Sequence, residues 1–132
     1  FFSPDNSKIV WRRFNPDGNS AEIWTMNVDG SGQRQLTADA VVSWGPYYHP
    51  SGDYIIYSSN ILGNENFELF MIDPLGVNPP VRGTKTSGTD ILPVFSPYGT
   101  QLAWSTTRTA DGTSQIHIAD WNHQKALELL GL

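Results

Sequence analysis

A turn, a short apolar run and a second short run recur three times along this chain, and that recurrence dictates what it can fold into. The first copy reads Ser3-Pro4-Asp5-Asn6, Lys8-Ile9-Val10-Trp11, then Glu22-Ile23-Trp24-Thr25-Met26-Asn27. The second reads His49-Pro50-Ser51-Gly52, Tyr54-Ile55-Ile56-Tyr57, then Glu68-Leu69-Phe70-Met71-Ile72-Asp73. The third reads Ser96-Pro97-Tyr98-Gly99, Gln101-Leu102-Ala103-Trp104, then Gln115-Ile116-His117-Ile118-Ala119-Asp120. Pro4, Pro50 and Pro97 are separated by 46 and 47 residues, and Trp11, Tyr57 and Trp104 keep the same spacings, as do Glu22, Glu68 and Gln115. Self-similarity at a fixed period of this length marks a repeat architecture, in which each copy is one supersecondary unit that buries its apolar faces on its neighbours.

The chemistry inside each copy is that of β-structure. The Pro-Asp-Asn, Pro-Ser-Gly and Pro-Tyr-Gly turns combine a proline that presets φ with a residue that tolerates positive φ. The runs 8–11, 54–57 and 101–104, and the runs 22–27, 68–73 and 115–120, are rich in β-branched and aromatic residues and too short for helical periodicity. A further short strand is expected at 33–37 and at 80–84, and the stretches 44–48 and 91–95 lead into the next turn. Four short strands in about 46 residues is the size of one propeller blade. The expected fold class is all-β: three four-stranded blades of a propeller, a partial ring, followed by a short C-terminal helix. Aromatics at 12% with charged residues at only 16% exclude a disordered chain, and no apolar run is long enough for a membrane helix.

The string Glu22-Ile23-Trp24-Thr25-Met26-Asn27, with Asp29-Gly30 in the turn and Arg34-Gln35-Leu36-Thr37 closing, resembles the repeat of TolB-like propellers. The resemblance implies a six-bladed ring and an exported, periplasmic or secreted setting. The expected division is blade 1 over 1–45 with its first strand truncated, blade 2 over 46–92, blade 3 over 93–120 without its outer strand, and a helix or linker over 121–132. Asn122 is the expected N-cap and Gly131 the expected C-terminal glycine of that helix. On this reading the chain is a segment of a longer propeller, or two copies complete a six-bladed ring through their exposed blade edges. The terminal 115–123 string and the Ala/Leu-rich helix also look like the end of TolB-like propellers that precede a zinc aminopeptidase domain.

No catalytic constellation emerges. Gly-x-Ser-x-Gly and His-Glu-x-x-His are absent, and there is no cysteine for a thiolate, disulfide or nucleophile. His49, His117 and His123 fall in three different slots of the repeat, which argues against a shared zinc site; His117 takes the place of Trp24 and Phe70, a packing position. Glu22 and Glu68 correspond to Gln115, which cannot act as an acid or base, so hydrogen bonding to a neighbouring blade is expected there. Asp5, Asp29, Asp53 and Asp73 sit beside turns, where Asx bonds account for them. The equivalent aromatics, Trp11, Tyr57 and Trp104 among them, are what packing between blades requires. No calcium-loop pattern occurs, and no cofactor is expected. Thirteen acidic against eight basic residues give a net charge of −5, which disfavours nucleic acid as a partner.

The links from Trp11 to Glu22, Tyr57 to Glu68 and Trp104 to Gln115, which join the second and third strands of each copy, share a length but not their residues, and they contain Arg12–Ser20, Asn60–Asn66 and Thr107–Thr113. Together with the crossovers Ala38–Ser43 and Thr86–Asp90 they are expected on one face of the propeller, where a rigid scaffold presents polar side chains. Arg12, Arg13, Asn64, Arg108 and Asp111 are the candidate binding residues. The function expected is a non-catalytic scaffold for a protein or peptide, with a homodimer as a further partner state. The alternative is an accessory propeller of an exported zinc aminopeptidase or prolyl-oligopeptidase-like hydrolase.

Overall fold

In the computed structural model, which describes residues 1–132, ten strands form three antiparallel sheets and one helix closes the chain. The strands are β1 (Lys8–Phe14), β2 (Ala21–Asn27), β3 (Arg34–Gln35), β4 (Ser43–Tyr48), β5 (Ile55–Ser59), β6 (Glu68–Ile72), β7 (Val81–Arg82), β8 (Asp90–Phe95), β9 (Gln101–Thr106) and β10 (Gln115–Asp120). The helix α1 runs over His123–Leu130. The sheets are β1-β2-β3, β4-β5-β6-β7 and β8-β9-β10, so only the middle one has four strands. Phe2 bridges Ile9 as Tyr48 pairs with Ile55 and Phe95 with Leu102, so it takes the innermost position of the first sheet. These are blades of a partial β-propeller, and they stack in chain order.

The innermost strands begin at Ser43 and Asp90, earlier than the boundaries 46 and 93 read from the turns. Each crosses a register shift, between Trp44 and Tyr47 and between Ile91 and Val94. Pro46 and Pro93 lie in those shifts. A proline has no N–H for the ladder, and a bulge in an edge strand is where that loss is tolerated. The outer strands shrink to two paired residues each, Trp24↔Gln35 with Thr25↔Arg34 and Phe70↔Arg82 with Met71↔Val81.

Alternation along the strands puts one set of side chains on each face of a sheet. Tyr48, Ile55, Tyr57, Phe70 and Ile72 of the middle blade meet Val10, Ile23 and Leu36 of the first. Its other face, with Tyr54, Ile56, Leu69 and Met71, meets Phe95, Leu102 and Trp104 of the third. Ile55, Ile56, Leu69 and Ile72 are essentially inaccessible, and each such side chain stabilises the fold by roughly 1.5–3 kcal/mol. The repeat-equivalent aromatic pairs sit directly opposite one another across the strands: Trp11 and Trp24 at 6.2 Å, Tyr57 and Phe70 at 6.0 Å, Trp104 and His117 at 5.9 Å.

In the third copy helix α1, not an outer strand, follows β10 along the chain. Asn122 caps it, its side chain accepting from the Lys125 N–H at 2.9 Å, and Gly131 ends it at φ 73°. Ala126 and Leu130 are buried in the core between the second and third blades, with Trp121 and Leu127 packed against it.

Candidate binding surfaces

The hairpin ends and the two crossovers are bonded to one another, beginning at the first hairpin, where Ala21 N–H donates to the Val41 carbonyl at 2.9 Å. Val42 N–H donates to Asn60 Oδ1 and Asn60 N–H to the Val42 carbonyl. Thr89 N–H donates to Thr107 Oγ1, Thr107 N–H returns to the Thr89 carbonyl, and Asp90 N–H reaches the Phe67 carbonyl. The first and third hairpins are also braced internally: Asp17 Oδ1 accepts from the N–H groups of Asn19 and Ser20, and Asp111 Oδ1 from Thr113 N–H and the Thr109 hydroxyl. The Thr113 backbone bond, with the hydroxyls of Thr109 and Thr113, holds the Asp111 carboxyl below its ordinary range.

The five candidate residues divide by what already occupies them. Asp111 spends its acceptor on its own turn. Arg108 donates to Asp90 at 2.8 Å, and its guanidinium lies 5.0 Å from the Trp104 ring centre. Trp104 Nε1 donates to the other oxygen of Asp90, which is buried. Burial works to raise the Asp90 carboxyl, but the Thr106 hydroxyl and the Arg108 hydrogen bond and charge outweigh it and keep the group low. Asn64 is exposed and lines a polar depression with Gly63, Glu65, Asn66, Ser87 and Gly88. Arg12 lies over Phe14 at 4.5 Å and over Trp44 at 5.4 Å, and Arg13 lies over Trp24 at 4.8 Å. Neither arginine has a carboxylate partner, so these two guanidinium groups keep their hydrogen-bonding capacity unused.

The buried carboxylates serve their own blades, not a neighbouring one as the sequence suggested. Thr37 Oγ1 accepts from Ile23 N–H at 3.0 Å and donates to Glu22, whose second oxygen takes Ala40 N–H. Thr84 Oγ1 accepts from Leu69 N–H at 2.9 Å and donates to Glu68, which also receives Arg82 at 2.6 Å. The hydroxyl thereby replaces a ladder bond at the point where the outer strand bends away. In the third blade Gln115 is exposed and its side chain bonds only Thr113.

A second departure concerns the histidines. His49 and His123 stack in parallel, ring centres 4.4 Å apart and planes 4° apart. His49 Nδ1 accepts from Ser51 N–H at 3.1 Å, which leaves Nε2–H to face the Gly99 carbonyl at 3.2 Å. Tyr54 receives the Trp121 indole N–H at 2.7 Å and faces His123 Nδ1 at 3.1 Å, while His123 Nε2 is 3.7 Å from Asp53. Burial pushes the Tyr54 hydroxyl up to about 12, so it stays neutral and can donate to the imidazole. The network pins α1 to the middle blade; no cluster of three metal-ligating side chains forms there. Asp53 thus faces the helix, whereas Asp5, Asp29 and Asp73 accept backbone N–H groups in their turns as expected. Repeat alignment misses the stack because residues 121–132 have no counterpart in the other copies; the available signal was histidine in a slot otherwise held by Ser3 and Ser96.

The outward sheet faces are the other exposed feature. On the first blade, Ile9, Trp11, Trp24 and Met26 face away from the second. On the third, Ile116 and Ile118 are 71% and 66% exposed, beside Val94 at 41%. No helix of the chain is long and apolar enough to cross a membrane.

No family model matches the chain. It is 40% identical over 45 residues to the Tol-Pal system protein TolB of Anaeromyxobacter dehalogenans, a match covering 34% of this chain and 10% of that protein. Among solved structures it is similar to a putative TolB from Agrobacterium tumefaciens (TM-score 0.78, 21% identity, 90% of this chain and 43% of that one). TolB from Acinetobacter baumannii is similar too (TM-score 0.77, 23% identity, 92% and 29%). Porphyromonas gingivalis dipeptidyl peptidase 4 matches more loosely (TM-score 0.56, 14% identity, 92% and 18%). The chain spans less than half the length of each of these relatives, and its fold is that of TolB-like β-propeller blades.

Proposed function

We propose that this chain is a non-catalytic propeller scaffold that engages a protein or peptide on its loop face and completes its ring by packing its two open sheet faces on further blades, a second copy supplying them to make six. The observation that carries this reading is the equivalence of the open faces to the buried ones. Ile9, Trp11 and Trp24 occupy the repeat positions by which Ile55, Tyr57 and Phe70 pack on the first blade. Ala103, Ile116 and Ile118 occupy those by which Ile56, Leu69 and Met71 receive the third. The two faces are therefore the two halves of one interface, and a twofold axis closes it without leaving either half exposed. Light scattering over a concentration series tests it: a species of twice 14.7 kDa, lost in Ile118→Lys with the circular dichroism spectrum intact, is the expected result. A monomer at every concentration rejects closure by a second copy.

On the loop face, Arg12, Arg13, Asn64, Arg108 and Asp111 frame the binding region, with Arg12 and Arg13 as the groups that meet a partner's carboxylates. Likeness to TolB supports an exported, periplasmic setting, which cell fractionation checks. The fold likeness to dipeptidyl peptidase 4 favours a second reading, an accessory propeller of an exported hydrolase such as a zinc aminopeptidase or a prolyl-oligopeptidase-like enzyme. Mass spectrometry of the native polypeptide, isolated with an antibody to this segment, would show a hydrolase domain in the same chain.

A further inference from the structure

The outer edge of β10 pairs with nothing, and nothing in its sequence blunts it. Gln115–Asp120 contains no Lys, no Pro and no bulge, the usual guards of an exposed edge. The other two blades show what covers the equivalent edge. In the first, Leu36 N–H donates to the Ile23 carbonyl at 2.8 Å, and Thr37 takes Ile23 N–H and gives its hydroxyl proton to Glu22. In the second, Gly83 N–H donates to the Leu69 carbonyl at 2.7 Å, and Thr84 does for Leu69 and Glu68 what Thr37 does for Ile23 and Glu22. Ile116 holds the position of Ile23 and Leu69, and Gln115 that of Glu22 and Glu68. The Gln115 amide uses its Nε2 on Thr113, and its Oε1 is an acceptor of the same kind as a carboxylate oxygen.

We infer that the β10 edge is a docking site for an extended segment of another polypeptide, recognised by two residues paired with Ile118 and His117, then a glycine or aliphatic residue, then a threonine. The third residue donates its N–H to the Ile116 carbonyl. The threonine hydroxyl accepts from Ile116 N–H and donates to Gln115 Oε1. Main-chain bonds supply affinity, as in other strand additions, and the hydroxyl fixes the register. This rests on the reading of the chain as a protein-binding scaffold, but it concerns the rim of the third blade, not its open face, so ring closure can fail while edge docking holds.

The test extends the full chain beyond Leu132 with a flexible Gly/Ser linker of about 12 residues, which spans roughly 20 Å, carrying the sequence of residues 33–38, Gln-Arg-Gln-Leu-Thr-Ala. Tethering holds the segment at an effective concentration in the millimolar range. Amide exchange by NMR is the readout: Ile116 and Ile118 are expected to slow by about tenfold or more relative to the untailed chain. Valine in place of the tail's threonine, or Gln115→Leu in the chain, is expected to remove most of the effect at Ile116, and Gln115→Glu to enlarge it. Unchanged exchange overturns the proposal, as does equal slowing by the threonine and valine tails. Concentration-dependent protection of these amides in the untailed chain would instead assign the edge to a second copy of β10 and overturn it as well.

Discussion

Leu69 of the middle blade and Ile116 of the third hold the same position in the repeat, yet Leu69 is wholly buried and Ile116 is 71% exposed. The contrast extends along whole strands. Every residue of β5 and β6 is buried, whereas β10 exposes all but His117. The local sequence is equally strand-like in both, so pattern decides that a strand forms and place in the stack decides what it buries. In a repeat protein, stability resides in the interfaces between units as much as in the units themselves.

The sharpest way to break this comparison is to truncate both side chains. Leu69→Ala should cost about 2–5 kcal/mol through the cavity it leaves, and Ile116→Ala less than about 0.5 kcal/mol at concentrations low enough to keep the chain monomeric, both read by urea denaturation. Equal costs would mean that the third blade's open face is covered in solution. Next come the glycines of the repeated turns. A Cβ on Gly52 (φ 83°) would make only an ordinary van der Waals contact, with Pro4 at 3.9 Å, whereas a Cβ on Gly99 (φ 69°) would lie 2.4 Å from His49 Nε2. Gly52→Ala should cost about 1 kcal/mol for its left-handed backbone. Gly99→Ala should cost about 1–3 kcal/mol more, because the His49 ring must leave its stack; thermal unfolding measures the difference.

A smaller contrast separates the buried carboxylate of the middle blade from its exposed counterpart. Glu68→Ala strands the Thr84 hydroxyl and Arg82 and should cost about 1–3 kcal/mol, while Gln115→Ala should stay within about 0.5 kcal/mol. Smallest is the pH effect at His49. Burial lowers the affinity of this ring for a proton below the ordinary 6.5, and His123 adds to that; the Gly99 carbonyl and Asp53 pull the other way and lose. The unfolded chain therefore takes up the proton first. The stability tied to neutral His49 is complete above pH 6.5 and declines as the pH falls below it. His49→Ser, which restores the residue of the other two turns, should flatten the slope of stability between about pH 7 and about pH 5.

The strands, the offset between copies, the equivalent aromatics and both helix caps were legible in the sequence because each depends on residues near in the chain or repeated at fixed spacing. Outer strands were overestimated: expected over 33–37 and 80–84, they pair only at 34–35 and 81–82, since the hydroxyls of Thr37 and Thr84 take over where the ladder ends. The contacts that escaped join unlike parts of the chain. His49 and Gly99 are 50 residues apart and Tyr54 and His123 are 69 apart, and no periodicity reports on a pair that occurs once. Arg108 shows the same limit at the candidate surface: its loop position was readable, but its engagement with the buried Asp90 depends on where the inner strand of its own blade begins.

The anchoring of α1 through Trp121, Tyr54 and His123 has a mechanical side. Tension applied at Leu132 does not peel β10 from β9 one bond at a time. It first meets a helix whose Ala126 and Leu130 are seated between two blades and whose entry is bonded to Tyr54 of the middle one. The load is thus shared by the second and third blades before either sheet is unzipped, and an optical trap should register one rupture of the helix and its seat ahead of strand separation. In Tyr54→Phe, which deletes the hydroxyl at the centre of that joint, the first rupture should come at lower force while the later ones stay where they were.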